Sequence, residues 1–411
     1  MNARPLRGAS VAFLCLWQPW VHLLAQGSPP PSPLTLPGAI AYAQLHNPDL
    51  RIASALEDSA RGQARMARAL PNPVFQSIPG SPSQFALGLP LDIGPQRHWR
   101  VRAAELGSEA AGMDRAQAQR QLVLAVQRAF YDVLLADALR RYSGARRDAV
   151  RELARADSTR VRAGDLAERT LVRSEVEVAR ADADLARADN AAQVARLALD
   201  AALGSPIPDT ARVLSGTLAF ADVLLPDSAA LAAAVALRPD VTAADTRVAQ
   251  SHDLRRLASA SLVPVPLVSV VRQVGQSFDS GRTYALGLGV EVPLLNLYRG
   301  DRERAAAGER AAQEARARAA AGATRDGLAA ISQVRIQRAL VERYESGLTR
   351  RVALGVEASR YAYQRGAISQ LEVLDALRAQ QDVLADHATA LHDFWVSVRV
   401  LEAQLGRALV P

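Results

Sequence analysis

The chain carries the same pattern twice. Gly164 is followed forty residues later by Gly204, and Gly366 by Gly406, with Leu203 and Leu405 just before them and no proline in either interval. Upstream, Ala86-Leu87-Gly88-Leu89 recurs as Ala285-Leu286-Gly287-Leu288, and Arg97-x-x-Arg100 as Arg299-x-x-Arg302. Pro48 and Pro73 recur as Pro239 and Pro264. The offset grows from 191 at the prolines through 199 to 202 at the turn glycines, so a unit of about 200 residues is used twice, with small insertions in the second copy. Such a duplication implies pseudo-symmetry. Each copy reads helix, strand pair, very long helix, turn, long returning helix.

The strand pairs are the segments where the helical period stops. Phe85, Leu87, Leu89 and Leu91 alternate with Ala86, Gly88, Pro90 and Asp92. In the second copy Tyr284, Leu286, Leu288, Val290 and Val292 alternate with Ala285, Gly287, Gly289 and Glu291. Period two with one apolar and one small or polar side predicts strands. Weaker partners precede them at 74–78 and 265–276, joined through Gly80-Ser81-Pro82 and Asp279-Ser280-Gly281. A soluble sheet gives the same alternation. Phe75, Trp99, Phe278, Tyr284 and Tyr298 nearby favour a wall facing lipid. Two hairpins supply four strands, too few to close a barrel, so a membrane role needs several chains.

Residues 97–159 and 299–363 contain no proline and are rich in Ala, Leu, Arg, Gln and Glu, all strong helix formers. The first of these spans roughly 95 Å as one helix. Returning helices are expected over 165–203 and 369–405, with Gly164 and Gly366 in the turns. Leu122, Val126, Ala129 and Val133 have coiled-coil spacing. Ala is frequent on the remaining faces, which suits a helix with neighbours on both flanks. A shorter helix from Leu36 is interrupted at Pro48, where Asn47 can cap the restart. The expected organisation is 1–25 signal peptide, 26–35 Pro-rich linker, 36–204 first repeat, 205–227 linker with Pro206, Pro208 and Pro226, and 228–406 second repeat.

Arg4, Arg7 and the apolar run from Val11 to Leu24 resemble an export signal, with cleavage expected after Ala25. The lone cysteine, Cys15, lies within it, so a mature chain would hold no disulfide and no thiol chemistry. The formal charge is +7, and all 49 basic residues are Arg. Stretches such as Arg151-Glu152-Leu153-Ala154-Arg155-Ala156-Asp157 interleave the signs, as a solvated helix face does, so nucleic acid is not an expected partner. The sequence carries no nucleophile motif, phosphate-binding glycine loop or paired metal-ligand motif, so neither an enzyme nor a cofactor is expected. His387 and His392 are five apart, on different helix faces.

Together the export signal, the duplication, the two hairpins and the coiled-coil pairs resemble the TolC family of outer-membrane efflux proteins, over about residues 34–406. The most specific stretch is Tyr363-Gln364-Arg365-Gly366-Ala367-Ile368-Ser369-Gln370-Leu371-Glu372-Val373-Leu374-Asp375-Ala376. Leu70-Pro71-Asn72-Pro73 and Val292-Pro293-Leu294-Leu295-Asn296-Leu297-Tyr298-Arg299-Gly300 look like the cobalt–zinc–cadmium (heavy-metal) branch. The resemblance implies a mainly α chain with a β-barrel part. It implies a homotrimer in the outer membrane, whose four strands per protomer close a 12-stranded barrel above a periplasmic α-barrel. It also implies a periplasmic adaptor protein as partner and, through it, an inner-membrane pump. The cargo would be small solutes, heavy-metal cations or drugs. The adaptor-docking tip would lie at Gly164, Asp165, Gly366 and Ser369, and Glu372 and Asp375 would ring the periplasmic gate with carboxylates. Their counterparts in the first copy are Thr170 and Arg173. An ordinary solvated face, with Arg378 beside the acids, accounts for the same two residues. A periplasmic adaptor or coiled-coil scaffold remains the alternative reading of the whole chain, although an adaptor normally has one hairpin between β-rich flanks.

Overall fold

A computed structural model describes residues 33–79, 83–205, 214–274 and 284–409. The export signal with Cys15, most of the 26–35 linker, both expected strand turns, and Pro206 and Pro208 lie outside the described residues.

The first repeat begins with α1, Leu36–His46, and α2, Pro48–Arg68. Asn47 makes the break between them and also ties it down. Its side-chain oxygen accepts from the Asp49 amide at 2.8 Å, capping α2, and its Nδ2 donates to the Ala202 carbonyl at 2.9 Å. The end of the returning helix α4, Glu168–Leu203, therefore abuts the start of α2. Gly204 closes α4 at φ 77°, and a Cβ there would stand 2.6 Å from Asn47 Cα, so both backbone and space require glycine. In the second repeat α5 is Ser228–Ala236, α6 Pro239–Ala260 and the returning helix α9 Gln370–Leu405. Arg238, just before α6, bonds Gln404 near the end of α9 and Asp240, so the same junction is made with different chemistry.

Strands β1, Val74–Ile78, β2, Ser83–Pro90, β3, Pro266–Val274, and β4, Tyr284–Val290, form one antiparallel sheet in that order. The two hairpins meet along β2 and β3, where Leu87 faces Val270 and Leu89 faces Val268. One face carries exposed Phe75, Phe85, Leu87, Leu89, Val268, Val270, Tyr284, Leu286 and Leu288. The other carries Gly88, Ser269 and Gly287 in register and is crowded: a Cβ on Gly88 would lie 3.3 Å from Leu267, and one on Gly287 2.5 Å from Ser269 Oγ. The expected alternation is present in β2 and β4, whose large residues lie on the uncovered face, whereas β1 and β3 also place Val74, Ile78, Leu267 and Val271 on the other. At five residues β1 is shorter than the roughly 9–11 that cross a bilayer. Both edges, β1 and β4, are unpaired in the single chain.

Helix α3, Pro95–Arg162, is unbroken for 68 residues, roughly 100 Å. The expectation of a matching helix over 299–363 is corrected. The segment divides into α7, Arg299–Arg343, a π turn at Tyr344–Leu348, and α8, Thr349–Gln364, with Gly347 at φ 105° inside the turn. The main core lies where the two repeats meet. Val126, Phe130 and Val133 of α3, Leu199 and Leu203 of α4, Val334 and Val341 of α7, and Phe394, Val398 and Leu401 of α9 are all buried there. Trp395 donates its indole N–H to the Ala219 carbonyl at 2.8 Å, pinning the linker over this core. A second cluster, Val150, Val356, Tyr363, Val373, Leu374 and Leu377, sits toward the helix turns. No described helix is long and apolar enough to cross a membrane.

Candidate functional site

The strands lie at one end of the chain's long helices and the two helix turns at the other. Each turn ends with a glycine in the left-handed region, Gly164 at φ 84° and Gly366 at φ 73°. Asp165 N donates to Arg160 O at 2.8 Å and Ala367 N to Ala362 O at 2.9 Å, the six-to-one bonds that close a helix C-terminus on glycine. A Cβ on either glycine would meet nothing, and Gly164, Asp165, Gly366 and Ser369 are all exposed. The two turns thus present an uncovered tip.

Ser369 opens α9 with a capping box. Its backbone N–H and hydroxyl donate to Glu372 Oε1 at 3.1 and 2.9 Å. Glu372 is therefore engaged locally through one oxygen while its side chain stays exposed. Asp375, one turn on, is exposed and accepts from Arg378 Nη1 at 3.3 Å. The two carboxylates share a face, as their spacing predicts, each with a partner in the single chain. Thr170, the first-copy counterpart of Glu372, lends its carbonyl to Gln370 at 3.2 Å, and Arg173 is exposed.

Behind the tip is a set of contacts that the sequence reading did not pick out. Asp157 of α3 is fully buried. Its carboxylate accepts from the Tyr363 hydroxyl at 2.5 Å, from Gln370 Nε2 at 2.7 Å and from the Ser174 hydroxyl. One carboxylate of the first hairpin thus holds two side chains of the second. Burial, and next the hydrogen bond to Asp157, push the Tyr363 phenol well above its ordinary range, so it stays a donor. Arg160 lies over the Tyr363 ring at 5.4 Å. Two turns farther from the tip, buried Glu177 of α4 takes Arg378 at 2.6 Å and Arg180 at 2.7 Å. Burial favours the neutral acid, but the hydrogen bonds from Arg378 and Arg180 outweigh it and hold the carboxyl below its usual range. Arg378 consequently bridges Asp375 on the surface to Glu177 in the interior. The one signal of this knot in the sequence was polar residues at helix positions that face inward, Asp157 and Ser174.

A groove of about 260 Å³ runs beside the knot between α3, α8 and α9. Leu153, Ala156, Val373 and Leu377 form its floor, with Arg160 and Arg360 along it. Of the histidines, His387 pairs with Glu345 at 3.0 Å, and His392 lies between Asp132 at 2.7 Å and Asp393 at 2.9 Å. Among the described residues no cluster of three or more His, Cys, Asp and Glu side chains is arranged to hold a metal ion.

Comparison with known proteins places this geometry. The family described as "Outer membrane efflux protein" matches residues 83–205. The cobalt-zinc-cadmium resistance protein CzcC of Cupriavidus metallidurans is 25% identical over 382 residues, 91% of this chain and 90% of that protein. Among solved structures, the channel protein CusC superposes with a TM-score of 0.77 at 18% identity, covering 91% of this chain and 92% of that one. The open-state MtrE outer membrane channel of Neisseria gonorrhoeae superposes at 0.76 and 22% identity, covering 91% and 89%. The outer membrane protein VceC of Vibrio cholerae does so at 0.75 and 19%, covering 91% and 97%.

Proposed function

We infer, from a chain that carries the outer membrane efflux protein domain and folds as the solved outer-membrane channels do, that it is the outer-membrane channel of a tripartite efflux system. The observation that carries this reading is the division of labour along the chain. An open-edged sheet with an uncovered apolar face stands at one end, and two helical hairpins held shut by buried hydrogen bonds stand at the other. Four strands with two free edges cannot stay open in lipid, where every backbone group needs a partner. Closure with copies of the same chain removes the edges, and three copies would form the barrel of the solved relatives. The crowded face with Gly88, Ser269 and Gly287 then lines the lumen and the apolar face meets lipid. Small solutes would pass from periplasm to exterior through this conduit. Heavy-metal cations are the favoured cargo class, on the likeness to CzcC. The role is one of passage, without catalysis.

The tip would be both docking surface and gate. Gly164, Asp165, Gly366 and Ser369 are exposed, and the neighbouring groove, with apolar residues at its base and arginines along it, would complete the surface offered to an adaptor. Glu372 and Asp375 would repeat around a trimer as rings of carboxylates that favour cations. Opening would separate the hairpins and therefore break the bonds of Asp157 to Tyr363 and Gln370, and of Glu177 to Arg378. Purification from outer-membrane fractions and conductance in planar bilayers test the whole reading. A detergent-extracted oligomer that conducts supports it, and a soluble periplasmic monomer ends it.

A further inference from the structure

Among the described residues, strands β1 to β4 contain one charged side chain, Arg272, and no Asp or Glu. It projects on the exposed apolar face, where a charge is least expected. In register it belongs to a row made of Ser77 on β1, Phe85 on β2, Arg272 on β3 and Tyr284 on β4. The rows nearer the helices on that face are apolar throughout: Phe75, Leu87, Val270 and Leu286, then Leu89, Val268 and Leu288. Beyond the Arg272 row on that face the described strands add only Ser83 and Val274, so the row lies near the end of the described sheet away from the helices. Its guanidinium lies 5.8 Å from the centre of the Tyr284 ring, and Phe85 stacks on Phe75 at 6.2 Å.

Aromatic girdles and tolerated cations both occur where a membrane wall meets the headgroups. Guanidinium suits phosphate in particular, because its planar fork matches two phosphate oxygens at once. The Tyr284 hydroxyl stands in the same row on the adjacent strand. We propose that Arg272 and Tyr284 form an outward-facing site for the phosphate group of an outer-leaflet lipid. Arg272 supplies the charge, the Tyr284 hydroxyl bonds a remaining oxygen, and Phe85, Phe75 and the leucine rows below lie along the acyl chains. The site rests on the reading of the sheet as a membrane wall.

The test uses the full-chain oligomer in dodecyl maltoside micelles, which contain no phosphate, with bisphosphorylated lipid A, its dephosphorylated form, or neither, the last with and without inorganic phosphate. Bound lipid is counted by native mass spectrometry, and melting of the oligomer is followed. The wild type should retain phosphorylated lipid and melt higher with it. Arg272→Gln should retain it about tenfold less, as loss of a charge-assisted hydrogen bond implies, and Arg272→Lys should fall between. Arg272→Leu keeps the face apolar and insertion favourable, and it too should fail to retain the lipid. Equal retention by wild type and both uncharged variants overturns the site. A melting shift produced equally by inorganic phosphate overturns the lipid as its ligand. Recovery of the wild type outside the membrane overturns the channel reading and the site with it, whereas a membrane oligomer indifferent to lipid phosphate overturns the site alone.

Discussion

Asp157→Ala should open the tip. In the closed arrangement the Asp157 carboxylate accepts from Tyr363, Gln370 and Ser174, and the first two of these bonds join one hairpin to the other. A hydrogen bond to a charged acceptor contributes about 1.5–3 kcal/mol net. Burying the carboxylate costs several kcal/mol, which offsets part of the gain. In the open arrangement the carboxylate regains water and the cross-hairpin bonds vanish together. The knot then favours the closed tip by about 3 kcal/mol, a factor of roughly 150 in the closed-to-open ratio. Alanine removes the acceptor and strands the Tyr363 hydroxyl in the closed state, which adds to the bias toward opening, while Gln370 keeps the Thr170 carbonyl and Ser174. Single-channel recording of the purified oligomer in planar bilayers reads this directly, as a rise in open probability or in mean conductance. Tyr363→Phe, which deletes one bond and leaves the carboxylate paired with Gln370 and Ser174, should give a smaller rise. Closed-state conductance in Asp157→Ala equal to wild type, with the oligomer intact, would refute the assignment of this knot to the gate.

Neutralising the surface acids, as Glu372→Gln with Asp375→Asn, should weaken block by multivalent cations and reduce cation selectivity in the same recordings. Unchanged block and selectivity would return both residues to the roles visible in the single chain, a helix cap and a partner of Arg378. Gly366→Trp should abolish efflux in cells while leaving the oligomer in the outer membrane, because the position faces open space and its left-handed backbone adds only about 1–2 kcal/mol of strain. Normal efflux from that variant would move the docking surface elsewhere. His392 should make stability fall as pH rises. Burial lowers its pKa, but the hydrogen bonds it donates to Asp132 and Asp393 outweigh this and raise it above 6.5. Its contribution is therefore complete below its unfolded value and is lost as pH climbs through the folded one. Melting temperatures across that window should drop in the wild type and stay flatter in His392→Gln; parallel curves would refute it.

Patterns with a strict period were legible in the sequence. The alternation at 85–91 and 284–292 located β2 and β4, and their weaker upstream partners proved to be β1 and β3. Asn47 and Pro48 marked the break between α1 and α2, because a cap and a fixed φ are local chemistry. The turn glycines were found for the same reason. The contact of Asn47 with Ala202 was not visible, since it joins residues 155 apart. Asp157, Ser174 and Glu177 escaped notice because an acidic or hydroxyl residue on a long Arg- and Ala-rich helix looks solvated until the neighbouring hairpin is placed. Glu372 was singled out as an acid near a tip turn. That it also satisfies Ser369 was equally legible, since Ser-x-x-Glu before an apolar run is itself a capping signature.

The break in the second long helix has a cause in the duplication. Leu122, Val126, Ala129, Phe130 and Val133 are buried on α3, and the buried residues of α7 that match them are Ala323, Gly327, Ala330, Ile331 and Val334, each 201 positions later. The tip glycines, Gly164 and Gly366, are 202 apart. Between core and tip the second copy therefore holds one more residue than the first. A continuous α-helix with one extra residue would turn every side chain beyond it by about 100° and carry the tip-facing positions off their face. A π turn absorbs one residue without that rotation. The turn at Tyr344–Leu348 lies in that interval, and Gly347 supplies the positive φ that no branched side chain would tolerate there. The insertion thus keeps Tyr363 and Gln370 aimed at Asp157 while breaking the run of α-helical hydrogen bonds above them in one copy alone. Two hairpins with a shared sequence pattern thus differ between core and tip, and the interrupted one carries the side chains that must leave the Asp157 carboxylate if the tip opens as proposed.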